Sequence, residues 1–207
     1  VTRVKICGIN SAEAFDTAVD AGADYLGFNF FPKSPRYVAI ADAAALSARH
    51  AGGPSRVALM VEPDEALVDA VVGGLRPDIL QIYSSPARVA EIGRRTGLPV
   101  WGAVGVSTKA DLPVGTDGAD ALLIEAKPPK DATRPGGNAT AFDWGLLRGW
   151  KPGYDWLLAG GLTIGNVAAA IRITGAPAVD LASGVESSPG VKDPAMIRAF
   201  MQAVRAG

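Results

Sequence analysis

Eight short runs of apolar, often β-branched residues alternate along this chain with Ala-rich amphipathic segments, and few folds accept that rhythm. The runs are Val4 to Cys7, Tyr25 to Phe30, Arg56 to Val61, Ile79 to Ile82, Val100 to Val104, Ala121 to Ile124, Trp156 to Ala159 and Val179 to Leu181. The first helix-like segment opens at Asn10-Ser11-Ala12-Glu13, puts Ala14, Ala18 and Ala21 on one side and stops near Gly22. Others follow at Ile40 to His50, Asp64 to Val72, Pro86 to Thr96, Ile164 to Thr174 and Pro194 to Val204. A short, weak helix is expected near Thr108 to Leu112, and another candidate spans Trp144 to Trp150. The strands lack the strict polar-apolar alternation of a half-exposed sheet, as parallel strands covered by helices should.

Eight strand-helix units in 207 residues lie at the lower size limit of a (βα)8 TIM barrel. That α/β fold carries its functional groups on the loops after the strand C-termini. The length suits one core, so a single TIM-barrel domain over 1–207 is the expected organisation. A doubly wound sheet is the alternative, but it announces its nucleotide with a glycine-rich first turn, and the first turn here reads Cys7-Gly8-Ile9-Asn10. Three loops after strands are long or unusual: Phe30 to Tyr37, Glu125 to Ala141 and Ser183 to Lys192. In a barrel all three rise from one face, the face on which the first strand ends at Cys7.

Charge excludes several classes of partner. With 20 Lys and Arg against 21 Asp and Glu, the net charge of -1 gives no pull toward nucleic acid or an anionic membrane. No apolar stretch reaches the length of a membrane helix, and no secretory leader pattern is present, so a cytoplasmic protein is expected. One Cys cannot form an internal disulfide, and one Cys with one His makes a zinc or iron site improbable.

Cys7 has two readings. Free cysteine is often a small buried hydrophobe. A thiol at a strand end beside Gly8, with room for substrate to approach, also suits a base, which a nearby Lys5 or a helix N-terminus would help to ionise. Glu125, placed just past the sixth strand, is either a rim partner of Lys127 or an acid to complement that base. Arg36 stands in a loop stiffened by Pro32 and Pro35, which favours a fixed guanidinium able to grip a carboxylate, although most arginines are simply solvated. Phe30, Phe31 and Tyr37 are either an aromatic wall beside it or core.

Gly160 and Gly161 follow the seventh strand, and Ser183 and Gly184 follow the eighth. In this fold those two loops often bind phosphate through backbone N–H groups. Asp180 ends the eighth strand and either orients the phosphate loop, pairs with a barrel lysine, or is a structural carboxylate bonded to backbone. His50 stands where a helix C-terminus favours a cation, a structural role.

Several motifs are more specific than any single residue. They are Val4-Lys5-Ile6-Cys7-Gly8, Gly27 through Tyr37, Pro135-Gly136-Gly137-Asn138 with Phe142-Asp143-Trp144, Leu158-Ala159-Gly160-Gly161-Leu162, and Val179-Asp180 with Ser183 through Asp193. With these over nearly its whole length, the chain resembles the phosphoribosylanthranilate isomerase family of tryptophan biosynthesis. The resemblance implies a cofactor-free Amadori rearrangement. N-(5-phosphoribosyl)anthranilate opens its ribose ring and becomes the enol of 1-(2-carboxyphenylamino)-1-deoxyribulose 5-phosphate.

By the same resemblance Cys7 is the general base, and Glu125 stands where the family has an aspartate as general acid. Arg36 matches the arginine that holds the anthranilate carboxylate, and the glycine loops match the phosphate site. The implied partner is a small phosphorylated substrate, and the chain is expected as a monomer or homodimer. Two more departures stand out. The family's Gln-Leu-His-Gly after the fourth strand reads Gln81-Ile82-Tyr83-Ser84 here, and a family lysine is replaced by Gly102, which is expected to remove a charge from the barrel interior. They keep two alternatives open: a divergent relative that binds a phosphosugar without efficient catalysis, and an isomerase of a different aminoaldose phosphate.

Overall fold

The computed structural model describes residues 1–127 and 142–206. The Pro135-Gly136-Gly137-Asn138 motif lies outside the described residues. Eight parallel strands close into a barrel in chain order: β1 (Arg3–Cys7), β2 (Tyr25–Asn29), β3 (Ser55–Val61), β4 (Ile79–Tyr83), β5 (Val100–Val106), β6 (Ala121–Ala126), β7 (Asp155–Leu158) and β8 (Ala178–Leu181), with β8 returning to pair with β1. Among the described residues six α-helices accompany them: α1 (Ala12–Asp20), α2 (Ile40–Ser47), α3 (Glu65–Leu75), α4 (Pro86–Thr96), α5 (Val167–Thr174) and α6 (Pro194–Ala206).

Alternation along each strand sorts the side chains into two cores. Inside the barrel, Tyr25, Val57, Ile79, Trp101, Leu123 and Leu157 pack together. The other face of the same strands packs against the helices through Ile6, Phe28, Met60, Leu80, Ile124 and their neighbours. Both faces are therefore apolar, which is why the strands read as continuous runs.

The helices start where the sequence offers a cap. Ser11 accepts from the Ala14 N–H, Asp64 from Leu67, and Ser85 from Arg88 with Pro86 in the first turn. After β5 and β6 the expected helices are only 3-10 turns, Lys109–Asp111 and Trp144–Leu147. Gly149, with φ of 74°, turns the chain where a helix from Trp144 to Trp150 would continue. The eighth loop is not all irregular: it carries an antiparallel hairpin of β9 (Glu186–Ser188) and β10 (Val191–Lys192). Its signal was Pro189-Gly190, a turn pair in which Gly190 takes the φ of 85° that other residues avoid.

At the N-terminal end of the barrel one device recurs every two strands. Asp24, Asp78 and Asp120 each precede an even-numbered strand, and each accepts at 2.7 Å from a backbone N–H of the strand before it: Val4, Arg56 and Val100. The backbone N–H of each aspartate donates back to the carbonyl of that same residue at 2.8–2.9 Å. Replacing any one aspartate by alanine is expected to cost about 1 kcal/mol. The three costs should add, because the sites are separate, and turnover should not change. Urea denaturation alongside an activity assay reads both.

Candidate functional site

At the C-terminal mouth of the barrel lies a cavity of about 730 Å³, counting its opening to solvent. Cys7, Arg36, Tyr83, Glu125, Asp180 and Ser183 are among its lining residues, with Gly160 and Gly161 beside them. The barrel therefore gathers into one space residues that the chain spreads over more than 170 positions.

Cys7 and Lys5 are two residues apart on β1 and point the same way, into the barrel. Lys5 is completely buried, and its Nζ donates at 2.7 Å to the Asp180 carboxylate on β8, the strand paired with β1. Of the readings open for Asp180, this is the pairing with a barrel lysine. Burial works against the charge on Lys5, but Asp180 and then Cys7 outweigh it, so the pKa of Lys5 rises above its ordinary value. Gly27 on β2 makes the arrangement possible. A Cβ there would stand 2.9 Å from Cys7 Sγ and 3.1 Å from Lys5 Nζ. Thiol and ammonium thus share the space that a side chain would take.

Glu125 sits within β6, on a strand position and not beyond it, and is 6% exposed. Lys127, the partner it would have on the rim, reaches Asp111 instead at 3.6 Å. From β4, the half-buried Tyr83 side chain hydrogen-bonds the Glu125 carboxylate. Burial, and after it the negative charge of Glu125, Asp180 and Cys7, pushes the Tyr83 pKa well above the ordinary phenol value.

Arg36 is held by residues close and distant in sequence. Asn29 donates to Ser34 Oγ, which accepts in turn from the Arg36 backbone N–H, so the second loop folds back on its own strand. The guanidinium is gripped by Glu186 of β9, Nε at 2.7 Å and Nη2 at 2.9 Å. Glu186 also accepts from Lys192 at 2.6 Å and from the Gly190 N–H at 3.2 Å. Burial would raise its pKa, but Arg36 and Lys192 hold it down at about 2.

The glycine after Cys7 proves to serve this arginine. A Cβ on Gly8 would fall 2.6 Å from Arg36 Cδ, so the space that invited substrate belongs to the arginine stem. Among the aromatics, Phe31 lines the cavity, Phe30 belongs to the core and Tyr37 is exposed.

The seventh and eighth loops meet tightly. Gly160 and Gly161 have φ of 84° and 65°, and a Cβ on Gly184 would lie 2.0 Å from the Leu162 carbonyl. Asn166 stitches the seventh loop by accepting from the Thr163 N–H and donating to the Gly161 carbonyl. His50 lies beyond the end of α2, exposed and 3.4 Å from the Gly52 carbonyl, away from the cavity.

The comparisons with known proteins now decide the family. The model of the family described as N-(5'phosphoribosyl)anthranilate (PRA) isomerase matches residues 4–203. The chain belongs to this family. It is 56% identical over 203 residues to the N-(5'-phosphoribosyl)anthranilate isomerase of Paracoccus denitrificans, covering 96% of this chain and 94% of that one. The crystal structure of the phosphoribosyl anthranilate isomerase from Thermotoga maritima superposes with a TM-score of 0.87 at 32% identity, over the whole of both chains. A second crystal structure, of the isomerase in complex with reduced 1-(o-carboxyphenylamino)-1-deoxyribulose 5-phosphate, gives 0.84 at 30% identity, also over both whole chains.

Set against the phosphoribosylanthranilate isomerase pattern, the departures fall in different places. Gly102 does not face the barrel interior. Its missing Cβ would meet Leu122, Ala119 and Val89 in the layer beneath α4, so the interior loses no charge there. Tyr83 and Glu125, by contrast, both line the cavity and touch each other. Glu186 and Lys192 are site residues that spacing along the chain does not mark. The available signal was a charged pair flanking a hairpin turn that follows a phosphate-loop glycine.

Proposed function

We propose that this chain is the N-(5'-phosphoribosyl)anthranilate isomerase of tryptophan biosynthesis, with Cys7 as general base and Glu125 as general acid. The observation that carries the assignment is that both groups face one cavity, the thiol from β1 and the carboxyl from β6, between Arg36 and the glycine loops. A substrate with a carboxylate at one end and a phosphate at the other needs two separate anchors around one acid and one base.

The chemistry proceeds in two proton transfers. Glu125 delivers its proton to the ribose ring oxygen as the anthranilate nitrogen pushes, the C1–O bond breaks, and an open-chain iminium forms. Cys7, beside the Lys5 ammonium, acts as the base that removes the C2 proton, and the C2–H electron pair neutralises the iminium to give the enolamine. The enol then becomes the ketone by proton exchange. Arg36 meets the anthranilate carboxylate with the Nη1/Nη2 edge that Glu186 leaves free, while Gly160, Gly161, Ser183 and Gly184 receive the phosphate. Asp180 contributes by holding Lys5 beside the thiol. The setting is the cytoplasm, as a monomer or homodimer.

The test is the decay of anthranilate fluorescence when purified protein meets N-(5'-phosphoribosyl)anthranilate generated in the same cuvette. Wild-type protein should give first-order decay, and Glu125→Gln should slow it by about a hundredfold or more. Decay unchanged by Glu125→Gln removes the acid assignment. Failure of the wild-type gene to restore growth to a tryptophan auxotroph lacking the isomerase removes the function.

A further inference from the structure

Tyr83 and Glu125 come from strands that are not neighbours, for β5 lies between β4 and β6. What lets them meet is written in the inward positions of β5, which run Trp101, Ala103, Gly105 toward the mouth. Register pairs Gly105 with Glu125 and Ala103 with Leu123. At the level of the acid, β5 therefore presents no side chain, and a ring on β4 can lean across the gap. Tyrosine on β4 is long enough to reach across that space to a carboxyl on β6.

Behind the phenol stands Gln81, fully buried in the barrel, with its Nε2 3.5 Å from Tyr83 Oη. Its Oε1 is buried without a hydrogen-bond partner. A fully buried amide is costly to leave half-satisfied, so the contact to Tyr83 is one of the few that justify it there. The order Gln81 to Tyr83 to Glu125 is a chain in which each group donates toward the acid.

We infer that Tyr83 is a positioning residue for the general acid, aiming the longer Glu125 arm at the ring oxygen and donating a hydrogen bond to the carboxylate that forms as the proton leaves. The two departures from the family pattern, tyrosine for histidine and glutamate for aspartate, are then one change in two parts. This inference rests on the functional reading above. Because the hydrogen bond strengthens as Glu125 becomes anionic, its contribution falls on turnover more than on substrate affinity. Among the described residues, the charged and titratable groups around Glu125 and Tyr83 in the mouth are Cys7 and Lys5 from β1, Asp180 from β8 and Arg36 from the second loop. None of them changes in the variants below.

The experiment measures kcat, KM and the pH dependence of kcat for wild type, Tyr83→Phe, Glu125→Asp, Tyr83→His and the pair Tyr83→His with Glu125→Asp. Tyr83→Phe should lower kcat by on the order of tenfold to a hundredfold, with KM nearly unchanged. A donor to the charged form holds a carboxyl pKa down, so its loss should move the basic limb of the kcat profile to higher pH. The pair exchange should recover activity over either single variant, which a merely structural tyrosine would not do. An active wild type whose kcat and basic limb are untouched by Tyr83→Phe overturns the inference and leaves the function standing. A wild type inactive toward N-(5'-phosphoribosyl)anthranilate overturns the functional reading itself.

Discussion

Cys7→Ser is expected to lower turnover by about a thousandfold or more, in the upper range for loss of a general base, while leaving the protein folded and able to bind its product. A serine hydroxyl fills nearly the volume of the thiol but does not ionise near neutrality, so the Lys5 ammonium beside it has nothing to activate. The same cluster yields a separable stability effect. Asp180→Asn removes the counter-charge from a completely buried ammonium, and breaking a buried pair from one side costs about 3–5 kcal/mol. Removing both charges, with Lys5→Met and Asp180→Asn together, should recover most of that stability and none of the activity.

The pH dependence has a definite sign. The Lys5 pKa is raised in the folded protein, so the stability from its pairing is fully present below its unfolded value of 10.5 and is lost as pH rises through the folded one. Chemical denaturation of wild type and the double variant, followed from pH 7 upward, should show the difference between them closing only in strong alkali. A Cys7→Ser enzyme with near-normal turnover would end the assignment of the thiol as base.

Which of these relations were legible in the sequence depends on how far along the chain they reach. Strand positions follow from local hydrophobic runs, and the barrel follows from their number and spacing, so Cys7 and Glu125 could be placed at strand ends before any coordinates. The candidate helix from Trp144 to Trp150 shortens to a 3-10 turn because Gly149 takes a φ of 74°, a conformation that ends a helix. Gly8 and Gly27 were visible as glycines, but what occupies the space they leave, the Arg36 stem and the Lys5-Cys7 pair, depends on contacts between different strands and loops. Gly102 departs from its expected inward placement for a related reason. Whether a residue near a strand start faces in or out turns on a register of one, and the neighbouring Trp101 holds the inward position. The partnership of Arg36 with Glu186 spans 150 residues and could not be inferred from spacing at all.

That partnership supports the second large effect. Glu186→Gln is expected to raise KM for N-(5'-phosphoribosyl)anthranilate by about tenfold to a hundredfold, because it replaces a bidentate charged clamp on Arg36 with at most one neutral hydrogen bond. The effect should fall mainly on KM, since the carboxylate that Arg36 meets is remote from the reacting carbons and is held alike before and during the reaction. Lys192 sharpens the prediction. Burial pulls its pKa down against the opposing pull of Glu186 and, less strongly, Cys7, so the variant leaves a buried ammonium without its main counter-charge. Substituting Lys192→Met in the Glu186→Gln background should therefore restore stability but not affinity, because Arg36 stays unclamped. In the wild type the depressed Glu186 pKa gives stability that is present above its unfolded value of 4.5 and is lost as pH falls toward about 2. Acid unfolding of the Glu186→Gln protein should lack that component over the same window. A KM within a factor of two of wild type would mean that Arg36 keeps its aim without Glu186, and that the hairpin bearing this carboxylate serves the fold alone.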